Sequence, residues 1–554
     1  MSTTAPSSRA RLRPRRLLTA SALVVVAALS LSACTAPKSE SNDDSPKFEL
    51  TALTPAPTGE LDSFTWSIHA EPYSLDYAYA FDYPDNQVLA NVCESLLRWN
   101  ADLTISPGLA ESFENPTPTT WVYNIRPGVT FHDGTPLTAA DAVASMSRHL
   151  DPAVGSSWFS VYQNVATIEQ TGDMQVTVTT TVPDSQFNQG MTGAPGVIES
   201  AATLAKAGKD YGNSSTGVNC TGPFSFGAWK SGESITLDRF DGYWDPDLTA
   251  KSKEVTFVFQ NDPNARINAF KAGEVDGGWM VPSNGIDQLK TSSEGKVYFG
   301  TNTAVASMIV SNLDGPLGDV RVRQALTMAI DRDGLLKAAE QGYGTVTDAI
   351  TTKSVWNGAD EATVTAAFGD LKKYPYDLDA AKKLIEEAGV SGQEIVIATS
   401  PITASFDVIA QATAAAATAI GLKPTIQTIT PNKWTTMFSD PSAREGVDLF
   451  YTLWYQSTAD PLESLAILRT GEFSNYGNWS DPEFDQIVTD AVSIADPAAR
   501  AAEAAKAQVI VNEQLPWLPL YESPTVVWLG KNITGVAPSI NYLYYPWAAT
   551  IGAS

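Results

Sequence analysis

Three cysteines and three histidines are the side chains of this 554-residue chain best suited to metal binding, redox chemistry or nucleophilic catalysis. His69, His132 and His149 do not cluster with the cysteines at the spacing of zinc ligands, so no metal site is predicted. The two later cysteines, Cys93 and Cys220, leave two interpretations open. They form one disulfide if the chain lies in an oxidising compartment, or they are two buried free thiols.

Motifs of common hydrolases and phosphate-binding enzymes are missing from the sequence. It contains no Gly-x-Ser-x-Gly, no His-Glu-x-x-His and no Gly-Lys-Ser/Thr segment. Acids are abundant, with 62 Asp and Glu against 36 Lys and Arg. Because paired carboxylates hydrolyse glycosidic bonds, a glycoside hydrolase stays an alternative, although a sequence does not show which carboxylates pair. The missing motifs favour a protein that is not an enzyme and that uses no cofactor.

The first cysteine, Cys34, directly follows the apolar run Leu17–Leu31 and a few small residues, and five arginines without any acid precede that run. The run is too short to span a bilayer comfortably. This segment resembles a bacterial lipoprotein signal. The resemblance implies that residues 1–33 are removed and that Cys34 is lipidated, which places the protein at the outer face of the cytoplasmic membrane. The alternative is an ordinary cleaved signal with an incidental cysteine.

Composition divides the rest of the chain into a tether and a folded body. Residues 34–59 are rich in Ser, Thr, Pro and Asp and predict a disordered tether. The following residues, roughly 490, are too many for one core and predict two or three lobes without a membrane-spanning helix. The formal charge of −26, or −31 without the five leader arginines, repels nucleic acid.

Hydrophobic periodicity predicts alternating strands and helices, and hence an α/β fold. Apolar residues at helical spacing predict a helix after Asp319 and another that starts near Ala381 and ends at Gly389. Thr138 is a predicted N-cap, and Val88–Leu97 a predicted helix. The predicted strands are 64–68, 174–182, 254–259, 395–398, 425–429 and 449–454.

Several segments, in order along the chain, resemble the peptide/nickel class (family 5) of ABC-transporter solute-binding proteins, which includes oligopeptide- and dipeptide-binding proteins. The longest is Trp121–Val143, WVYNIRPGVTFHDGTPLTAADAV. The shorter ones are Pro72–Asp76, Thr221–Phe224, Lys271–Asp276, Gly315–Ala325, Ala329–Arg332, Tyr376–Asp377 and Ala381–Gly389.

The resemblance implies a periplasmic-binding-protein-like two-lobe (Venus flytrap) fold with an extra domain inserted in the first lobe. The chain would cross between the lobes near Ser311–Asn312 and near residue 505. The implied boundaries are 60–95, 217–305 and 506–554 for lobe I, 96–216 for the inserted domain and 306–505 for lobe II.

The resemblance also implies a ligand cleft lined by Phe81, Asp82, Tyr83, Trp434, Trp454, Ser457 and Tyr521. The alternative for each ring is an ordinary place in the core. In the family's peptide binders an aspartate three residues after a tryptophan holds the ligand's α-amine. The tryptophan matches Trp454, and the amine position is Ser457. A hydroxyl cannot supply the charge-assisted bond of a carboxylate. Another acid, such as Asp82 or Asp85, is one way to replace it.

The function that the resemblance implies is a solute-binding lipoprotein. It would act as a monomer, capture peptides or peptide-like solutes between closing lobes, and deliver them to an ABC permease with its ATPase. Because aromatic rings also stack on sugars, Ser457 together with the aromatic residues makes an oligosaccharide an alternative ligand. Nickel is disfavoured, since no histidine maps near Ser457. A signalling role for the loaded protein is a further alternative.

Overall fold

The computed structural model describes residues 48–554. In chain order, the strands of this part are β1 Leu61–Ile68, β2 Leu97–Trp99, β3 Ile105–Pro107, β4 Ala110–Thr117, β5 Thr120–Ile125, β6 Val165–Gly172, β7 Gln175–Thr180, β8 Phe224–Lys230, β9 Ser234–Arg239, β10 Ser252–Phe259, β11 Gly277–Trp279, β12 Gly295–Gly300, β13 Val305–Val310, β14 Thr345–Val346, β15 Glu394–Thr399, β16 Lys423–Thr428, β17 Leu449–Trp454, β18 Trp517–Glu522, β19 Thr525–Gly530, β20 Ile533–Thr534 and β21 Gly552–Ala553.

The α-helices of the same part are α1 Tyr83–Leu89, α2 Ala139–Arg148, α3 Phe159–Tyr162, α4 Ser185–Gly190, α5 Ala201–Ala207, α6 Pro263–Ala272, α7 Ile286–Leu289, α8 Val320–Ala329, α9 Arg332–Glu340, α10 Glu361–Gly369, α11 Leu378–Ala388, α12 Ala404–Ala419, α13 Pro431–Met437, α14 Leu462–Ala466, α15 Pro482–Val492 and α16 Pro497–Gln514. None of these helices is both long enough and apolar enough to cross a membrane.

The first sheet has seven strands in the order β12-β19-β11-β1-β10-β9-β8, with β1 parallel to β10. Three of the buried tryptophans in its core, Trp66, Trp279 and Trp547, pack against one another. The ring centre of Trp66 lies 4.4 Å from that of Trp547 and 5.7 Å from that of Trp279. These rings come from distant parts of the chain, so this sheet forms only after long-range contacts. We call the part built on it the first lobe.

The second sheet has six strands in the order β14-β18-β13-β17-β15-β16, and the part built on it is the second lobe. The central strand β13 is buried at all six positions. The predicted helix after Asp319 is confirmed as α8, with Asp319 as its N-cap. The predicted end of α11 is confirmed as well, because Gly389 takes the left-handed conformation (φ +71°) that glycine adopts without strain.

A third sheet, of four antiparallel strands in the order β4-β5-β7-β6, lies within residues 96–216, the segment assigned to an inserted domain. The motif Trp121–Val143 supplies β5, the turn after it and the first turn of α2. Thr138 is confirmed as an N-cap. Its side chain and that of Asp141 each accept a hydrogen bond from the other's backbone N–H, which is a capping box.

The helix predicted over Val88–Leu97 was wrong in position, because α1 spans Tyr83–Leu89. Asp82 caps the helix and a proline follows in its first turn, so helical structure starts earlier than the apolar pattern indicates. The six predicted strands are confirmed, with boundaries shifted by at most three residues, as β1, β7, β10, β15, β16 and β17.

Within the described residues, the chain passes between the first and second sheets after β12 and after β18. These positions differ from the crossings expected near Ser311–Asn312 and near residue 505. The Nδ2 atom of Asn312 donates to Asp448 at 2.7 Å, which fixes this segment to the second lobe. Residue 505 lies inside α16, where Ala504 and Ala507 are buried in the second-lobe core. Residues 506–522 thus pack with the second lobe.

Part of the predicted disordered tether is ordered, since residues 48–59 lie along the first lobe. The backbone N–H of Thr51 donates to the carbonyl of Phe299 at 2.7 Å, and that of Thr54 to Val536 at 3.0 Å. Such a segment has no apolar periodicity, because it is held mainly through its backbone. The signal, the lipidation site Cys34 and the rest of the tether lie outside the described residues.

A disulfide joins the two first-lobe segments that flank residues 96–216, and an ion pair joins residues 96–216 themselves to the first lobe. Cys93 and Cys220 are disulfide-bonded, with Cα atoms 4.9 Å apart. The guanidinium of Arg148 binds Asp76 at 2.6 Å and Glu199 at 2.8 Å, and all three side chains are largely buried. Arg148 therefore ties α2 to the loop that follows β1.

Candidate functional site

A loop of the first lobe carries Phe81, Asp82 and Tyr83 into the start of α1. The Oδ1 atom of Asp82 accepts a hydrogen bond from the backbone N–H of Tyr83 at 2.7 Å, which fixes the entry into the helix. The Phe81 side chain is 46% exposed, and Asp82 is also accessible to solvent. These three residues, predicted together as cleft residues, are neighbours in the structure.

The segment after β17 of the second lobe meets this loop. The hydroxyl of Tyr455 donates to the carbonyl of Phe81 at 2.8 Å, and the ring of Tyr455 lies 5.1 Å from that of Tyr83. Tyr455 also packs on the first-lobe core, with its hydroxyl 3.5 Å from that of Tyr544. These contacts hold the two lobes together in this structure.

Ser457 lies two residues beyond Tyr455, and its hydroxyl is bound to a carboxylate. The backbone N–H and the Oγ of Ser457 donate to Glu463 Oε1 at 2.9 and 2.8 Å. The N–H and Oγ1 of Thr458 donate to the other oxygen at 2.7 and 2.6 Å. Because its proton is used by Glu463, the Ser457 hydroxyl offers a lone pair, backed by a negative charge, to any further partner.

A buried ion pair fixes the other end of the same loop. Arg500 Nε lies 2.7 Å from Asp460 Oδ2, and the two side chains are only 3% and 5% exposed. The other oxygen of Asp460 accepts the backbone N–H of Leu462 at 3.0 Å, at the start of α14. The loop from Tyr455 to Glu463 is thus held at both ends.

Tyr521 lies elsewhere, at a second contact between the lobes. It is fully buried, and its hydroxyl donates to Glu340 Oε1 at 3.1 Å. Next to Glu340, the hydroxyl of Ser283 in the first lobe donates to the carbonyl of Ala339 in the second at 3.2 Å. Tyr521 therefore helps to place a carboxylate at the boundary between the lobes.

The two predicted tryptophans lie in the second-lobe core or at its edge. Trp434 is 4% exposed, and its ring packs edge-on against Phe406 and Phe450 at 4.9 and 5.9 Å. Trp454 is half-buried, with its ring 5.3 Å from that of Trp517. Trp454 ends β17, Trp434 packs on Phe450 of the same strand, and neither ring contacts that of Tyr83 or Tyr455.

Three carboxylates near the lobe contacts have no cationic partner. Asp82, Glu340 and Glu463 form no ion pair with a lysine or arginine of the described residues. Burial raises the pKa of all three, and hydrogen bonds oppose this rise only in part. Asp82 is reached by solvent from one side, but the surrounding lobes still remove enough water to raise its pKa. A cationic group bound beside these carboxylates would offset the free-energy cost of burying their charged form.

Asp85 adds a fourth acid behind the same loop. Burial, and then the charge of Asp82, raises the pKa of Asp85 to about 8, although its Oδ1 accepts the Tyr73 N–H at 2.7 Å. Asp85 is 2% exposed, so a solute in the cleft does not reach it. Of the two acids considered as substitutes at Ser457, only Asp82 is accessible.

Metal ligands do not gather at this site within residues 48–554. The single cluster with suitable ligand atoms is Cys93, Cys220 and Glu199, in which both sulfurs belong to the disulfide. Burial lowers the pKa of His69 to about 3 and that of His132 to about 4. The histidines are therefore neutral structural residues.

Sequence reasoning missed Tyr455, Glu463 and Glu340. Tyr455 directly follows the predicted Trp454, so one additional residue would have included it. Glu463 comes six residues after Ser457, and nothing in the sequence shows that the chain turns back at Asp460. Glu340 ends α9, where an exposed acid is ordinary, and its burial arises from the contact with the first lobe.

Comparison with known proteins identifies the family. The model of the bacterial extracellular solute-binding proteins, family 5, matches residues 104–476. The chain belongs to this family. The glutathione-binding protein GsiB of Escherichia coli K12 is 26% identical over 470 residues, which cover 83% of this chain and 89% of that protein.

Solved structures share the two-lobe α/β fold, which confirms the predicted fold class. The binding protein DppA of Helicobacter pylori, in complex with the peptide STSA, aligns with a TM-score of 0.77 at 20% identity, over 89% of this chain and 98% of that one. AgaA of A. tumefaciens R10, with agropinic acid, aligns with a TM-score of 0.76 at 23% identity, over 89% and 99%.

Proposed function

We propose that this protein binds a peptide or peptide-like solute with a protonated amino group between its two lobes and delivers it to an ABC importer. The observation that carries the proposal is the contact of Tyr455 with Phe81 and Tyr83, beside carboxylates that lack a cation. The ligands of the related proteins, glutathione and the peptide STSA, both contain amino groups and support this choice.

Ser457 and Glu463 together replace the missing aspartate in this proposal. The ligand's ammonium group donates to Ser457 Oγ, and the Glu463 carboxylate, 2.8 Å behind that oxygen, supplies the negative charge. Hydrogen bonds to charged groups are stronger than those between neutral groups. A low local dielectric also strengthens the attraction between the ligand's ammonium group and the Glu463 carboxylate behind Ser457. The amine is thus bound through a hydroxyl whose orientation the carboxylate fixes.

Asp82 is the first-lobe partner in the same proposal. Its Oδ1 caps α1, and Oδ2 accepts no hydrogen bond from the described residues. It stands next to Tyr83, which touches Tyr455 of the second lobe. A solute that binds Asp82 and the Ser457 loop bridges both lobes, and such bridging shifts the population towards the closed form.

The lobes follow the two sheets in this proposal. The first lobe comprises residues 60–95, 217–300 and 525–554, the inserted domain 96–216, and the second lobe 305–522. Lobe closure is then a rotation about the segments between β12 and β13 and between β18 and β19. The membrane anchor is a lipid on Cys34, which holds the monomer at the outer face of the cytoplasmic membrane.

The carboxylates without counter-ions weigh against a neutral oligosaccharide, which would leave their charges uncompensated. The decisive experiment is a thermal-shift screen of the soluble form that starts after Cys34, with short peptides and oligosaccharides. Each peptide that stabilises the protein is then compared with its N-acetylated form by calorimetry. We expect acetylation to abolish measurable binding. Equal binding of both forms, or stabilisation by oligosaccharides alone, would contradict the proposal.

The role of Ser457 needs its own variant. Ser457→Ala removes the hydroxyl that faces the ligand, and Ser439→Ala, an exposed serine of the same lobe, is the matched control. We expect about a 10- to 150-fold loss of affinity for Ser457→Ala, the size of one hydrogen bond to a charged group. An equally small effect of both variants would remove Ser457 from the site.

A further inference from the structure

Residues 48–59, which we call the strap, are the described part of the chain nearest to the leader. Leu50 forms a parallel bridge with Phe299, and Thr51 N–H donates to the carbonyl of Phe299 at 2.7 Å. Phe299 belongs to β12, an edge strand of the first sheet. The far end of the strap is fixed through Gly59, which bridges to Ala553. The strap therefore covers an otherwise unpaired sheet edge.

The start of the strap touches both lobes at one point. The ring of Phe48 stacks on that of Phe299 in the first lobe, with centres 5.1 Å apart, and lies 6.5 Å from that of Tyr343. Tyr343 comes from the segment between α9 and β14 of the second lobe, and its ring stacks on Phe299 at 5.2 Å with an interplanar angle of 11°. Phe48 thus completes a three-ring cluster that spans the lobe boundary.

Tyr343 is firmly held in this arrangement. It is 3% exposed within a core of first-lobe residues, and its hydroxyl donates to Asp287 of α7 at 2.6 Å. The ammonium group of Lys290 lies 5.4 Å from the centre of the same ring. This second-lobe residue therefore sits in a pocket of the first lobe, one wall of which is the ring of Phe48.

We propose that the strap is a clasp, in which Phe48 stabilises the closed arrangement of the lobes by covering the Tyr343 pocket. The structure shows the cluster together with the Tyr455 contact between the lobes. Because Phe299 lies next to the segment 301–304 about which the lobes rotate, this rotation changes the packing of Tyr343 against Phe48 and Phe299. The segment that leads to the membrane anchor thereby sets how readily the lobes close, with or without solute.

Phe48→Ala tests the clasp, and Leu53→Ala is the matched control, because Leu53 belongs to the strap but is 63% exposed. The readout is the distance between spin labels at Lys253→Cys in the first lobe and Lys383→Cys in the second, both exposed sites. Measured without solute, it does not depend on the identity of the ligand. The full strap and the native disulfide are kept in every variant.

We expect Phe48→Ala to lower the ratio of closed to open molecules about two- to twelvefold, the effect of one aromatic contact, while Leu53→Ala matches the unsubstituted protein. Distance distributions that are the same for Phe48→Ala and Leu53→Ala would overturn the proposal. A drop in thermal stability of Phe48→Ala with an unchanged closed fraction would also overturn it, because the strap would then only cover the sheet edge.

Discussion

Removing the hydrogen bond from Tyr455 to the carbonyl of Phe81 is the most direct test of how the lobes are held closed. Tyr455→Phe removes the donor at 2.8 Å and keeps the ring that packs on Tyr83. A hydrogen bond of this kind contributes about 0.5–1.5 kcal/mol net, because water replaces it when it is broken. If the bond exists only in the closed form, this energy corresponds to a loss of affinity of about two- to twelvefold.

Calorimetry with a solute from the peptide screen measures this loss, and the matched control is Tyr79→Phe. The Tyr79 hydroxyl also donates to a backbone carbonyl, that of Val154 at 2.9 Å, but without contact to the second lobe. We expect Tyr79→Phe to bind as tightly as the unsubstituted protein. Unchanged affinity in Tyr455→Phe, or equal losses in both variants, would refute the argument that this bond closes the cleft.

Two further predictions concern stability and the cleft loop. Because burial raises the pKa of Asp85 to about 8, the folded state binds the proton of this carboxyl more tightly than the unfolded state, and the free energy of unfolding falls as pH rises from about 4 to 8. Urea unfolding of Asp85→Asn should therefore show a weaker dependence of this free energy on pH between pH 5 and 8. The same pH dependence in both proteins would contradict this prediction. Arg500→Met leaves Asp460 buried without its partner, which should lower the free energy of unfolding in urea by about 3–5 kcal/mol. The double variant Arg500→Met with Asp460→Asn should recover part of that loss. No recovery would mean that the loop depends on Arg500 for packing alone.

Local signals gave the sequence predictions that hold. Thr138 and Asp141 stand three residues apart, and Gly389 follows an apolar stripe, so the helix ends that they mark depend on neighbouring residues only. The family motifs predicted the fold class correctly because each motif also depends on neighbouring residues and supplies one turn or helix start.

Long-range contacts explain what the sequence could not show. Tyr455 meets a carbonyl 374 positions away, and Glu463 reaches Ser457 only because the chain reverses between them. The strap has no apolar period, since the edge of β12 holds it through its backbone. The change of sheet after β18 differs from the crossing expected near residue 505, because β18, at residues 517–522, joins the second sheet only through pairing with strands that are distant in the sequence.

Native mass spectrometry of the soluble protein as purified tests the central claim most directly. The complex is measured intact and then denatured, and whatever the closed cleft has retained is identified. The account predicts a bound solute with a free amino group, which is lost from the variant Ser457→Ala. Release of a neutral sugar or another solute without an amino group would contradict it.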